Sequence, residues 1–253
     1  MTKIIMKIKS VLLSIVVLSV IGSIIFFAYR SASEKTNKDL AKRMAELSPR
    51  GGPPQSIEGL RQAIALYEAQ IERNVREGAQ TGVYWKILAT RLADSGMHRD
   101  ALASLERAIY FNAEDPVLYY LTGVSAGTVA KSEVGFSSSS ASEKAHYYKL
   151  SESSYLRALE LDSSYTKPMM GLGVLYTFEL NEPEKAIPHL ENFLKIQSGD
   201  VSAMFILARA FYMSRRFRDA IELYERIITR TKNQKFREEA MNNIELIERM
   251  MYE

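Results

Sequence analysis

Residues Met204–Ile228 read MFILARAFYMSRRFRDAIELYERII, and this stretch decides the fold. Its first half is almost wholly apolar, and a basic break at Ser214–Arg216 separates it from a second apolar pattern. In the second half, apolar residues recur in steps of three and four, which places them on one face of a helix. The opposite face mixes arginines with Asp219, Glu222 and Glu225, so it reads as a solvated helix face rather than a nucleic-acid surface.

The same helix–turn–helix pattern recurs along the chain. An earlier copy, WKILATRLADSGMHRDALASLERAI, runs from Trp85 to Ile109, and the segments YYLTGVSAG and MMGLGVLY begin copies of its first helix at Tyr119 and Met169. Trp85 and Tyr119 are 34 residues apart, and Met169 and Met204 are 35 apart. The interval of 50 between Tyr119 and Met169 is one repeat plus 16 residues, which fall in KSEVGFSSSSASEKAH.

This pattern resembles the tetratricopeptide repeat, a helix–turn–helix unit of 34 residues whose signature places small and bulky residues at fixed positions. Small residues recur in the first helix at 89, 123, 173 and 208, and in the second helix at 101, 186 and 220. The resemblance implies an all-α fold, a solenoid of stacked helix pairs. The repeats are predicted over 82–232, as 82–115, 116–165 with a loop insertion at 131–146, 166–200 and 201–232.

The flanking segments read as caps and a linker. Residues 56–80 are predicted to form an N-terminal capping helix or a degenerate repeat, and 233–253 a C-terminal capping helix. Residues 30–55 are expected to be a partly helical linker. Terminal helices with a polar outer face are what a solenoid needs for solubility.

The N-terminus predicts a single transmembrane helix. After a basic tail at 1–10, the segment Val11–Tyr29 contains no charged residue and is about 28 Å long as a helix, close to the bilayer's hydrocarbon thickness. A cleaved signal sequence stays an alternative, because Ser31-Ala32-Ser33 offers small residues at a cleavage site. Lysines and arginines flank both ends, so orientation rests on the resemblance to a bacterial signal anchor that exports its C-terminal domain.

The sequence offers no catalytic set. It has no cysteine, a formal net charge of +3 and 25% charged residues, which argues against thiolate chemistry, cysteine metal sites and nucleic-acid binding. His98, His146 and His189 lack the spacing of metal ligands. The serine run at 137–140 reads as a disordered loop. We therefore expect a binding protein, not an enzyme, with no cofactor and no metal.

The family resemblance also implies where a partner binds, namely a groove lined by the first helices of successive repeats. The positions that match are Lys86, Thr90, Tyr120, Val124, Lys167, Met170, Val174, Phe205, Arg209 and Tyr212. Any of them can instead pack against a neighbouring helix. Family members that clamp acidic C-termini use Lys, Asn, Asn, Lys and Arg, and here Thr90, Leu121 and Gly171 stand where the two Asn and the Arg belong.

The expected function is a membrane-anchored scaffold in a bacterial cytoplasmic membrane, with its repeats on the periplasmic side. It would bind protein or peptide partners during assembly of a cell-envelope complex. One alternative is an accessory protein of a transporter that binds a small solute. The other is the regulatory subunit of an envelope enzyme, or an enzyme whose site the sequence patterns do not reveal.

Overall fold

The computed structural model describes residues 56–132 and 138–252, besides Lys38 and Lys42. In the two longer ranges, the secondary structure is entirely helical. The helices are α1 (Ile57–Asp94), α2 (His98–Phe111), α3 (Pro116–Ser132), α4 (Ser138–Leu161), α5 (Thr166–Val174, continued as a π-helix over Leu175–Glu179), α6 (Pro183–Ile196), α7 (Val201–Met213), α8 (Phe217–Arg230) and α9 (Gln234–Tyr252).

Helix α1 differs from the sequence prediction, which separated a cap at 56–80 from a repeat starting at 82. The helix continues through this boundary, since Ala79, Gln80 and Thr81 contain neither a proline nor a turn signal. Contacts divide the chain into two compact units at Arg76 and Glu77. The part of α1 in the first unit carries Leu60, Ile64, Tyr67, Ile71 and Val75, which are exposed.

In the second unit, each helix from α2 to α9 packs against the next one in sequence, and Ala89 of α1 packs with Leu105 and Ala108 of α2. In addition, α3 contacts α5 and α5 contacts α7, so the first helices of successive repeats form a continuous layer. We call the face of this layer the first-helix surface, and the face formed by α2, α4, α6 and α8 the second-helix surface. This arrangement is the solenoid that the repeat pattern predicts.

The core is built from the small and bulky residues of the repeat signature. Ala89, Ala101, Ala186, Ala208 and Ala220 are at most 1% exposed, and they let neighbouring helices approach closely. The bulky residues fill the spaces between repeats and are also buried: Leu105, Tyr155, Leu190 and Tyr224. The residues that the repeat signature predicts to pack between helices are therefore buried in the core of the fold.

The predicted loop insertion at 131–146 is mostly helical where the structure describes it. Helix α3 extends to Ser132, and α4 begins at Ser138, well before the predicted restart at Tyr147. The serine run is therefore helical from Ser138 onward rather than a loop. Ser138–His146 precedes the segment of α4 that packs in the repeat, and Ala, Glu and Lys residues in it favour helix.

The third repeat has one residue more between its helices than the fourth, because Met169 and Ala186 are 17 positions apart whereas Met204 and Ala220 are 16 apart. The π-helix at the end of α5 takes up this residue.

In the first and fourth repeats, a backbone hydrogen bond between residues five positions apart closes the turn. In the fourth repeat, the Arg216 N–H donates to the Phe211 carbonyl. In the third repeat, the Glu182 N–H instead donates to the Tyr176 carbonyl at 2.8 Å, one position farther. A π-turn holds one more residue than an α-turn, so the helix pair keeps its packing.

Left-handed backbone marks the same place in each of these turns. The residue is Gly96 in the first repeat (φ 78°), Asn181 in the third (φ 54°) and Arg215 in the fourth (φ 58°). Glycine and asparagine tolerate this conformation, while arginine adopts it at a cost of about 1–2 kcal/mol. The basic break of the opening stretch is therefore the turn between α7 and α8.

Within the part of the chain that the structure describes, none of the helices combines the length and hydrophobicity needed to span a bilayer. The predicted transmembrane segment Val11–Tyr29, the basic tail and the linker at 30–55 fall outside the described residues, apart from Lys38 and Lys42.

Candidate interaction surface

Lys86 and Thr90, the first two predicted groove residues, lie on α1. The Lys86 ammonium forms an ion pair with Asp115 at 2.8 Å, and Asp115 also accepts the Val117 N–H at 2.9 Å at the start of α3. The Thr90 hydroxyl donates to the Lys86 carbonyl within the helix. Lys86 thus connects the first two repeats, so its charge is already engaged before any partner arrives.

Tyr120 and Lys167 meet at the middle of the first-helix surface. The Lys167 ammonium lies 5.6 Å from the centre of the Tyr120 ring. That ring also contacts Tyr155 at 6.1 Å and Tyr165 at 5.5 Å between centroids. Burial raises the pKa of the half-buried Tyr120 hydroxyl. The result is a preformed aromatic cluster with an exposed cation beside it.

Val124 and Val174 line a small cavity of about 150 Å³ between α3, α4 and α5. Gly127 and Gly171 widen it, because they have no side chain. A cavity of this size accepts a single side chain, since pockets for small molecules usually measure about 300–1,000 Å³. The two valines thus border a recess large enough for one side chain.

A charged group closes one end of this cavity. Glu179 accepts a hydrogen bond from the Tyr148 hydroxyl at 2.5 Å and pairs with the Lys131 ammonium at 2.8 Å. Burial opposes ionisation of Glu179, but these two bonds outweigh it and lower the pKa of its carboxyl group. Burial, together with the bond to Glu179, raises the pKa of Tyr148. Glu179 is therefore held as a carboxylate.

The groove positions of the fourth repeat have neighbours on the terminal helix α9. Phe205 packs on Tyr224 at 5.8 Å and on Phe236 at 5.9 Å. The Tyr212 hydroxyl lies 3.2 Å from the Met250 sulfur. Arg209 is exposed, and its guanidinium lies 5.2 Å from the centre of the Tyr212 ring. Of this trio, only Arg209 has its side chain largely in solvent.

Met170 is half-buried and packs against the core beneath the same surface. The structure thus brings Tyr120, Val124, Lys167, Met170 and Val174 together on α3 and α5. It places the remaining predicted residues toward the two ends of the repeat array, on α1 and α7.

Sequence reasoning missed the polar part of the cavity. The sequence pattern places Lys131 in the predicted loop insertion, and it singles out neither Tyr148 nor Glu179 as a site residue. One signal was present: Tyr148, Ser151 and Tyr155 follow helical steps of three and four. Ser151 occupies the small-residue position and donates to the Gly123 carbonyl at 2.8 Å, so a hydroxyl replaces the usual alanine contact.

The described residues contain no group of three or more His, Asp or Glu side chains arranged to hold a metal ion. His189 stacks on the Tyr176 ring at 6.0 Å, and burial lowers its pKa. Tyr176 donates to Glu152 at 2.7 Å. These contacts join neighbouring helices and present no activated nucleophile.

Residues 174–235 match the family model described as tetratricopeptide repeat. No curated protein matches the sequence. Solved structures share the fold: MamA (41-end) from Desulfovibrio magneticus RS-1 superposes with a TM-score of 0.54 and 13% identity, over 68% of this chain and 92% of that one. YrrB, described as a TPR protein with an unusual peptide-binding site, superposes with a TM-score of 0.56 and 16% identity, over 72% of this chain and 83% of that one. A further MamA structure superposes with a TM-score of 0.50 and 17% identity, over 78% of this chain and 92% of that one.

The fold is thus an all-helical, tetratricopeptide-like solenoid. Proteins of this fold are generally interaction scaffolds without catalytic activity of their own.

Proposed function

We propose that the protein is a membrane-anchored scaffold whose first-helix surface binds a segment of a partner protein during assembly of a cell-envelope complex. The observation that carries the interaction is the group formed by Tyr120, Lys167 and the cavity between Val124 and Val174. It combines an aromatic platform, a cation and a recess for one side chain, which are the elements of a peptide-binding site.

The size of the cavity favours a polypeptide over a free solute at this surface. At about 150 Å³ it is smaller than pockets that enclose metabolites, whereas it suits one apolar side chain of a longer ligand. Lys131 lines the cavity but is already paired with Glu179, and the exposed Lys167 lies one helical turn before the lining residue Gly171. YrrB, similar in fold, is described as having a peptide-binding site.

Membrane anchoring rests on the segment Val11–Tyr29, whose 19 uncharged residues match the thickness of a bilayer. The basic residues around it resemble those of a bacterial signal anchor, and on this resemblance we place the repeats on the periplasmic side. A scaffold held at the membrane concentrates its partner there, which is the use that this arrangement suggests.

Site-specific photo-crosslinking in cells tests the interaction. A benzophenone amino acid at position 120 of the full-length chain should capture a defined partner, and the matched control places it at Arg226 on the second-helix surface. Lys167→Glu, combined with the probe at 120, should reduce the crosslink at least fivefold. Identical products from both probe positions, or a crosslink insensitive to Lys167→Glu, would sink the assignment of this surface.

Topology is tested separately by protease treatment of intact spheroplasts. The proposal expects the full-length chain to sediment with membranes and its repeats to be digested from outside. Protection of the repeats in intact spheroplasts, followed by digestion after lysis, would reverse the orientation. Recovery of the chain in the soluble fraction would refute the anchor.

A further inference from the structure

The second-helix surface contains two equivalent clefts that differ in size. The α2–α4 cleft, between the second helices of the first two repeats, has a volume of about 720 Å³. The α6–α8 cleft, between the second helices of the last two repeats, has about 400 Å³. Since the two clefts occupy the same place in the repeat framework, their difference comes from side chains.

Small residues open the α2–α4 cleft. Thr122 and Ser154 stand where the α6–α8 cleft has Leu207 and Leu223. In the same register, the buried Ala126 takes the place of Phe211, which lines the smaller cleft. The repeat framework therefore tolerates bulky side chains at these positions, and the first two repeats omit them.

The lining charges differ as well. Leu150 and Ser153 replace Asp219 and Glu222, so two carboxylates are lost from the wall. Charged residues that line the α2–α4 cleft are Arg99, Glu106 and Arg157, while its apolar wall is formed by residues such as Leu102, Ile109 and Leu150. Relative to its counterpart, the cleft is larger, more apolar and positively biased.

The two arginines lie at opposite ends of the cleft. Arg99 lies over the Tyr147 ring at 5.2 Å, donates to its hydroxyl at 2.9 Å and pairs with Glu143 at 2.8 Å. Arg157 lies 5.8 Å from the centre of the Tyr119 ring. Tyr147 and Arg157 are ten residues apart on α4, which corresponds to about 15 Å along the helix.

Both arginines have acidic neighbours that a ligand can replace. Arg157 pairs with Glu160 at 2.9 Å, with side chains 43% and 63% exposed, and the Arg99–Glu143 pair is 51% and 42% exposed. Ion pairs this exposed contribute little to stability, so exchange for another carboxylate has a low cost. The aromatic rings meanwhile keep each guanidinium oriented toward its end of the cleft.

We infer that the α2–α4 cleft is a second binding site, for an extended peptide segment with an apolar centre and a carboxylate at each end. Five extended residues span about 15 Å, which matches the separation of the two ends. An acyl chain of that length has only one acidic end, so the pair of arginines favours the peptide. The site lies on the surface opposite to the one proposed above and is independent of it.

Fluorescence anisotropy with the full-length chain tests this site. The probe is labelled GELFLEG, and its controls are GKLFLKG, with basic ends, and GESGSEG, without the apolar centre. We expect saturable binding of GELFLEG that is at least tenfold tighter than binding of either control. The double variant Thr122→Leu/Ser154→Leu fills the cleft with the residues of its counterpart and should weaken binding at least tenfold.

A second pair of variants keeps the test decisive if that double variant folds poorly. Arg157→Glu should weaken binding of GELFLEG at least fivefold, while Arg226→Glu, the same change at the equivalent place in the α6–α8 cleft, should leave it unchanged. Tyr120→Ala, on the first-helix surface, should also leave it unchanged. No saturable binding, or equal loss in Arg157→Glu and Arg226→Glu, would overturn the inference. Binding of dodecanoate that cleft filling abolishes, without peptide binding, would overturn it in favour of an acyl ligand.

Discussion

The middle of the first-helix surface and its C-terminal end are built on the same repeat positions but serve different purposes. Tyr120 and Phe205 occupy equivalent positions, and each packs on the tyrosine of its own second helix, Tyr155 or Tyr224. The next neighbours differ: Tyr120 meets Tyr165 and the exposed Lys167, whereas Phe205 meets Phe236 of the terminal helix. An exposed cation therefore stands beside the ring in the middle, while at the end the additional ring belongs to the terminal helix.

This difference teaches that a groove position in a repeat protein has no fixed role. In the proposed function, the Tyr120 position contacts a ligand, whereas the equivalent Phe205 packs on the terminal helix. The experiments below test whether the middle and the end differ in the way that their contacts indicate.

The largest expected effect comes from truncating the two aromatic residues. Phe205→Ala should lower the free energy of unfolding by about 2–3 kcal/mol, since the half-buried ring contacts two others. It should also speed amide hydrogen exchange in α9, because terminal elements with few neighbours open locally. Tyr120→Ala should cost a similar amount but leave exchange in α9 unchanged, because the Tyr120 ring packs on Tyr155 and Tyr165 and not on the terminal helix.

Chemical denaturation and hydrogen-exchange mass spectrometry measure these quantities. Equal acceleration of α9 in both variants would contradict the distinction between an open middle and a closed end. An unchanged exchange rate for α9 in Phe205→Ala would show that Phe205 does not hold the terminal helix.

The next effect concerns the tyrosines beneath these positions. A Cβ atom at Gly123 would lie 2.5 Å from the Tyr155 ring, whereas the equivalent position in the fourth repeat is Ala208 beside Tyr224. Glycine to alanine in a helix normally gains about 1 kcal/mol. Here the overlap between the added Cβ atom and the Tyr155 ring outweighs that gain in stability. Gly123→Ala should therefore lower the free energy of unfolding by about 1–3 kcal/mol.

Ala208→Gly is the matched control and should cost about 1 kcal/mol through helix propensity alone. Thermal and denaturant unfolding of both variants give the comparison. Stabilisation by Gly123→Ala would mean that the Tyr155 ring moves aside easily, and the middle of the array would then be no more tightly packed than its end.

The smallest effect depends on pH. His189 occupies the position that Leu223 fills in the fourth repeat, and burial lowers its pKa below the ordinary value of about 6.5. The unfolded chain therefore binds the proton more tightly. Stability contributed by neutral His189 is fully present above about pH 6.5 and declines as the pH falls toward the folded-state pKa.

His189→Leu should remove this part of the decline. Unfolding free energies measured at pH 7.5 and pH 5.0 should differ less in the variant than in the natural chain, and Leu223→Ala should leave the pH-dependent difference as it was. A variant with an unaltered pH dependence would show that His189 makes no contribution to it.

Much of the fold could be predicted from the sequence, because the repeat places small and bulky residues at the positions where helices pack. The small residues at 89 and 208 and the bulky ones at 105 and 224 lie in the core as the pattern predicts. Less of the candidate site could be predicted from the sequence. The sequence predicts Val124 and Val174 as groove positions but does not single out Lys131, Tyr148 and Glu179, because the predicted insertion at 131–146 interrupts the helical register between α3 and α4.

The sequence by itself determined that the chain stacks helix pairs, where the first, third and fourth pairs turn and that the signature residues are buried, since helical periodicity and side-chain volume are local properties. Only the tertiary structure decided that the third turn absorbs its extra residue as a π-helix, that Phe205 faces the terminal helix and that one of two equivalent clefts is larger. These features depend on contacts between residues far apart in sequence, and the spacing of residues along one helix does not specify its neighbours.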